Sequence, residues 1–150
     1  MPRVREYLGI DVLTAARERL RNVYETFDTV VVCFSGGKES LALLHLAKEA
    51  ANAAGQAVVN VIFRDEELIT QVVIDFVDHY RKLPWVRMLY FAVPLHSTEY
   101  VLGQNRGYVQ WDLSRPHVRE RPAFALTLPP GDTRVFDQYT MDDYAVGFFK

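Results

Sequence analysis

The first 93 residues alternate between two hydrophobic periods. Leu13, Ala16, Leu20, Val23, Tyr24 and Phe27 fall on one face of a helix that Asp11 is placed to cap, with Arg17, Arg19 and Arg21 mostly off that face. Those arginines read as a solvated surface, and the helix is expected to pack on the edge or face of a sheet. Val30 to Phe34 is a short apolar run rich in β-branched residues, the mark of a strand covered on both faces. Ser35, Gly36 and Gly37 break it. Leu41, Leu43, Leu44, Ala47, Ala50 and Ala51 then resume at helical spacing, and Gly55 suits the position just past the helix end. Ala57 to Phe63 is a second buried strand, cut short by Arg64, Asp65, Glu66 and Glu67. Leu68, Ile69, Val72, Val73, Phe76, Val77 and Tyr80 return to the helical period until Pro84, and Val86 to Val93 is a third strand.

Strand, helix, strand, helix, strand predicts parallel strands joined by right-handed crossovers. Ligands in such sheets sit beyond the carboxyl ends of the strands. The Ser35 turn, Asp65 with Glu66, and the segment after Val93 all reach that edge. Beyond Pro94 the periodicity fades and turn residues multiply. Ser97 and Thr98 are expected to cap a short helix through Leu102, and Tyr108 to Leu113 to form a short strand. Arg115-Pro116 and Arg121-Pro122 bracket His117, Arg119 and Glu120. A short helix is expected to open at Thr140 and to end by Phe148 and Phe149. The whole of 1–150 reads as one domain, with a βαβαβ core and its preceding helix in 1–93 and an irregular segment at the ligand edge and C-terminus in 94–150. An aromatic pair at a chain end points to contact with another chain, a homo-oligomer or a partner protein, or to a family domain that stops early here.

Composition narrows the class. At 150 residues, 49% hydrophobic and 24% charged, the chain has the balance of a folded domain with a real core. A net charge of −2 gives no general attraction for nucleic acid, so such a partner needs a local patch. Cys33 is the one cysteine, so no internal disulfide forms, and no Cys/His group has zinc spacing. The N-terminus lacks the apolar core of a signal peptide and no apolar run has membrane-spanning length, so a cytoplasmic location without membrane attachment is expected.

The chemistry concentrates in Ser35-Gly36-Gly37-Lys38-Glu39-Ser40. Two glycines admit backbone angles closed to other residues and allow close approach to the main chain. A helix opens directly out of the turn, so free N–H groups and the helix dipole favour an anion there. Hydroxyls of Ser35 and Ser40 satisfy phosphate oxygens, and Lys38 adds a point charge. The spacing is not that of a Walker A loop. Asp65 and Glu66 stand at the same edge, where Asp65 holds Mg²⁺ or a ribose hydroxyl, or else the two cap the following helix. Arg115, Arg119 and Arg121, with Arg106 before them, are the dense basic stretch outside the first helix. Their forks suit phosphate, or ordinary salt bridges of a surface loop. Trp111 reads either as a base-stacking platform or as core. His96 and His117 have no partner visible in sequence. Cys33, inside a strand, reads as a buried and inert thiol.

The turn resembles the SGGxDS signature of the PP-loop family, the ATP pyrophosphatases and sulfonucleotide reductases, with Glu39 where that family usually has Asp. Beyond the turn, YLGIDVLTAARERL, the acidic step after VIF, and YVQWD followed by VRERPA resemble the phosphoadenosine phosphosulfate (PAPS) reductase-like branch, phage- and prophage-encoded members in particular. The resemblance implies an α/β three-layer sandwich with a mostly parallel sheet of about five strands, Rossmann-like and of the adenine nucleotide alpha-hydrolase-like type. It implies ATP or PAPS as the ligand, with Mg²⁺ as a companion. Ser35, Gly36, Gly37, Lys38, Glu39 and Ser40 would hold it, joined by Asp65, Arg119 and Arg121. Lys38 and Ser40 would be the catalytic pair, in a bacterial or phage-infected cell. Three activities fit: ATP cleavage between the α and β phosphates with substrate adenylation, a non-catalytic nucleotide-binding module acting with a partner chain, and a sulfonucleotide reductase. The late cysteine that such reductases use is absent here.

Overall fold

The structure, a computed structural model, describes residues 9–101 and 104–149, and the side chains of these outside 97–107. Helix α1 (Val12–Thr26) is capped as the sequence predicts, with the Thr14 amide donating to Asp11 Oδ1 at 2.9 Å. Its main neighbour is not the sheet but helix α2 (Lys38–Ala53), to which the Arg17 Nε–Glu49 Oε2 pair, 2.9 Å apart, ties it. Only its inner edge reaches the core, through the buried Tyr24 and the half-buried Leu20, while Leu13 and Phe27 stay exposed. Helix α2 ends where Gly55 takes φ +78°, donating to the Asn52 carbonyl while Gln56 donates to that of Ala51. This pair of bonds closes the last turn and needs the left-handed residue that glycine supplies.

Strands β1 (Val31–Cys33), β2 (Val59–Arg64) and β3 (Val86–Phe91) form a parallel sheet in the order β1-β2-β3, with Val32 opposite Val61 and Val61 opposite Met88. Successive side chains point to opposite faces. Val32, Val61, Phe63 and Tyr90 therefore pack with Leu44, Ala47 and Ala51 of α2 and Val77 of α3 (Gln71–Arg81). Ile62, Phe91, Val31 and Leu89 face the other way. There Phe136 and helix α4 (Gln138–Val146), through Met141 and Ala145, form a second core. Helices, sheet and C-terminal segment make three layers.

Two expectations about this region are corrected. The parallel sheet has three strands, not five. A parallel partner needs a crossover of a dozen or more residues, and only Ala92, Val93 and Pro94 separate β3 from the next strand. That strand, β4 (Leu95–Val101), pairs antiparallel with β5 (Gln104–Gln110) as a separate hairpin, so no helix begins at Ser97; Leu102 lies outside the described residues. The free side of β3 is instead continued by one bridge, with Leu126 donating to the Tyr90 carbonyl and Ala92 to that of Leu126. The terminal aromatic pair makes contacts within this chain, while Phe148 stays 44% exposed. Phe148 lies 5.6 Å from Phe91, ring centroid to centroid, and the Arg87 guanidinium stands 5.0 Å above Phe149.

Candidate functional site

Strand β1 delivers Ser35 to the carboxyl edge of the sheet and α2 opens at Lys38. Between them Gly36 adopts φ +77°, and a Cβ placed there would stand 3.2 Å from both Val73 Cγ1 and Val77 Cγ2 of α3. Glycine is required twice over, for the backbone angle and for the close approach of α3. The two serines brace the loop. Ser40 Oγ donates to the Gly37 carbonyl at 2.9 Å, receives the Ser35 amide at 3.2 Å and lies 3.0 Å from Ser35 Oγ. The Gly37 amide donates to Ser35 Oγ at 3.3 Å.

No side chain caps α2. Among the described residues, no acceptor takes the amides of Gly36, Lys38, Glu39 or Ser40. A row of unsatisfied donors at a helix start is a ready anion site. The Lys38 ammonium is 89% exposed and 3.7 Å from Glu39 Oε1, so it is free to swing onto a ligand. Glu39 complements the helix dipole from the first turn.

Beside the loop opens a cavity of about 240 Å³, lined by Cys33, Ser35, Ile62, Arg64, Glu66 and Ile69. It lies at the ends of β1 and β2, where parallel sheets hold their ligands. The Cys33 thiol is exposed, not buried as the strand pattern predicts. β1 is an edge strand and stops at this residue. Partial desolvation and the Asp142 carboxylate push the thiol up from its ordinary value, so it is not primed as a thiolate.

The acidic step after β2 divides into three fates. Asp65 is buried, accepting from the Tyr90 hydroxyl at 2.7 Å, the Glu67 amide at 2.9 Å and the Arg119 guanidinium. Glu66 is exposed toward the cavity. Glu67 is the most enclosed. At φ +59° it turns inward and accepts from the Trp111 amide at 2.7 Å, the Val118 amide at 2.8 Å and both Arg115 nitrogens at 2.8 and 3.1 Å. Burial opposes its charge, but the Arg115 bonds and the Val118 and Trp111 amides outweigh burial and hold its pKa at about 2. Burial and the Asp65 hydrogen bond push Tyr90 well above the usual phenol range.

The arginine-rich loop is thus largely committed to structure. Arg119 donates to Asp65, to the Glu67 carbonyl at 3.0 Å and to the Glu120 carbonyl at 3.2 Å. Arg119 and Arg121 also stack on the Trp111 ring, 4.9 and 5.0 Å from its centroid. Trp111 is fully buried, with its indole N–H donating to the Asp65 carbonyl at 2.7 Å, so it is core. His117 packs edge-on against it, 5.2 Å away. Arg121 reaches only the Trp111 carbonyl, at 3.4 Å, leaving its Nε buried without an acceptor. The Arg106 side chain lies outside those described. The structure brings Ser35 through Ser40 together at one mouth and sets Asp65 and Arg119 in a closed network behind it. Among the described residues no three His, Cys, Asp or Glu side chains converge as a metal cluster. No described helix is long and apolar enough to cross a membrane.

The chain is 34% identical over 146 residues to the uncharacterized protein YbdN of Escherichia coli (strain K12), covering 90% of this chain and 35% of that protein. It therefore spans about a third of the length of the curated relative it matches. No solved structure matches. Residues 29–115 match the phosphoadenosine phosphosulfate reductase domain, a span that holds the whole parallel sheet, the Ser35 loop and Glu67 with its Arg115 partner. The chain belongs to the phosphoadenosine phosphosulfate reductase domain family.

Proposed function

We propose that the chain is a PP-loop nucleotide-binding protein that takes ATP, or PAPS, at the Ser35–Ser40 loop, and that it cleaves ATP between the α and β phosphates to activate a substrate as its adenylate. The observation that carries this reading is the unfilled row of amides at Gly36, Lys38, Glu39 and Ser40 beside an exposed ammonium. Those donors suit the several oxygens of linked phosphoryl groups better than a single carboxylate. Lys38 stabilises charge developing on departing pyrophosphate, and Ser40, already braced on Gly37, orients the chain. Glu39, in the first turn on the same rim, would be the carboxylate to hold a Mg²⁺ ion brought in with the nucleotide, and that ion would neutralise phosphate charge. Such a cation needs only one or two protein carboxylates. Asp65 is not free for this role without leaving its three partners; its contribution is to hold Tyr90 and Arg119.

The test is product formation. Protein incubated with ATP, Mg²⁺ and candidate acceptors should release AMP and pyrophosphate, and Lys38→Ala should abolish this. Tight ATP binding without AMP from any acceptor would favour the non-catalytic module instead. The exposure of Cys33 in the cavity supports one second reading, sulfonucleotide reduction, against which stands the raised pKa of this thiol. It predicts sulfite from PAPS and an added thiol, lost in Cys33→Ser. Sulfite that survives the substitution rules Cys33 out.

A further inference from the structure

A second cavity, of about 490 Å³, adjoins the first and shares Arg64 and Glu66 with it. Its other walls come from the hairpin, through His96 and Gln110, and from the start of α4, through Asp137 and Tyr139. Two of its polar groups are unmatched and a third is only partly met. Gln110 is 4% exposed, and its Oε1 has no hydrogen-bond partner. A buried acceptor left unsatisfied is costly and asks for an N–H or O–H donor. Glu66 is exposed and forms no ion pair among the described residues. Arg64 has one acid near it, Asp142, at 3.6 Å, which is beyond hydrogen-bonding distance and leaves guanidinium donors for another anion.

We propose that this cavity binds a small zwitterion of amino-acid type, its carboxylate on Arg64 and its ammonium between Glu66 and Gln110. A carboxylate ligand alone would leave Glu66 and Gln110 unmet, and an amine alone would leave Arg64 unmet. The proposal deepens the nucleotide reading, since Arg64 and Glu66 border both cavities and would set such a molecule beside the nucleotide, but its test does not require nucleotide.

Saturation-transfer NMR on the full chain, with the proteinogenic L-amino acids as probes, reads the site directly. At least one amino acid should show transfer, in the absence and in the presence of ATP. Glu66→Gln, at an exposed position, should weaken that binding about tenfold, the loss of one charged hydrogen bond. Gln110→Met should do the same where circular dichroism shows it folded. No transfer from any amino acid, transfer unmoved by Glu66→Gln, or complete displacement by ATP each overturn the proposal. Amino-acid binding without ATP binding would sink the nucleotide reading and leave this one standing; ATP binding without amino-acid binding does the reverse.

Discussion

Glu67 shows how much a single side chain can organise. Its carboxylate joins the end of β2 to β5 and to the loop carrying Arg115 and Val118, and its backbone carbonyl holds Arg119. Removing one partner of such a buried pair leaves the other charge uncompensated, so Glu67→Gln should cost roughly 3 kcal/mol in urea unfolding at neutral pH. The pH dependence has a definite sign. The folded pKa, about 2, lies below the ordinary 4.5, so the unfolded chain takes up this proton first as pH falls. The stabilisation is complete above the ordinary value and is lost between there and about 2. Glu67→Gln should flatten that part of the stability profile, and an unchanged slope would remove Glu67 from the account. Sequence could not choose Glu67 over its acidic neighbours, because the partners of its carboxylate lie 41 to 51 positions away. Gly36 was legible, since a Gly-Gly turn before a helix has few readings; Gly36→Ala should push the loop off Val73 and Val77 and weaken ATP binding.

At the scale of elements, the β-branched runs and helical periods located β1 to β3 and α1 to α3 because burial on both faces leaves a plain pattern. The boundaries moved where tertiary partners intervened. Helix α3 begins at Gln71 rather than at Leu68, because the inward turn at Glu67 consumes the residues before it. The hairpin was misread as a helix start. Ser and Thr serve as caps, but in Leu95–Val101 they sit among Tyr and Val opposite a second β-prone run, with Gly103 between the two. Helix α4 starts earlier than its Thr140 suggests, because Asp137 is the cap: it accepts the Thr140 amide at 2.8 Å while Thr140 Oγ1 accepts the Asp137 amide at 3.0 Å. Asp137→Ala should cost about 1 kcal/mol, read as a lowered unfolding midpoint. Since Met141 and Ala145 close the second core, a variant with unchanged stability would mean that α4 is held by packing alone.

For the whole molecule, the α/β class was legible, and the strand number was not. Local pattern says where a strand is, whereas sheet size depends on where the chain goes after β3. Here it turns into a hairpin whose end, Gln110 and Trp111, locks onto the acidic step after β2. The arginines beyond it suit phosphate or salt bridges in sequence; in the structure Arg115 pairs with Glu67 and Arg119 with Asp65. On the proposed function, recognition at the mouth falls to the Ser35–Ser40 loop. Calorimetric titration with ATP, PAPS and AMP, each with and without Mg²⁺, tests that most directly. ATP or PAPS should bind at least tenfold more tightly than AMP, and Lys38→Ala should remove about that margin, one charged hydrogen bond to phosphate. Equal affinity for AMP, or affinity untouched by Lys38→Ala, would contradict it.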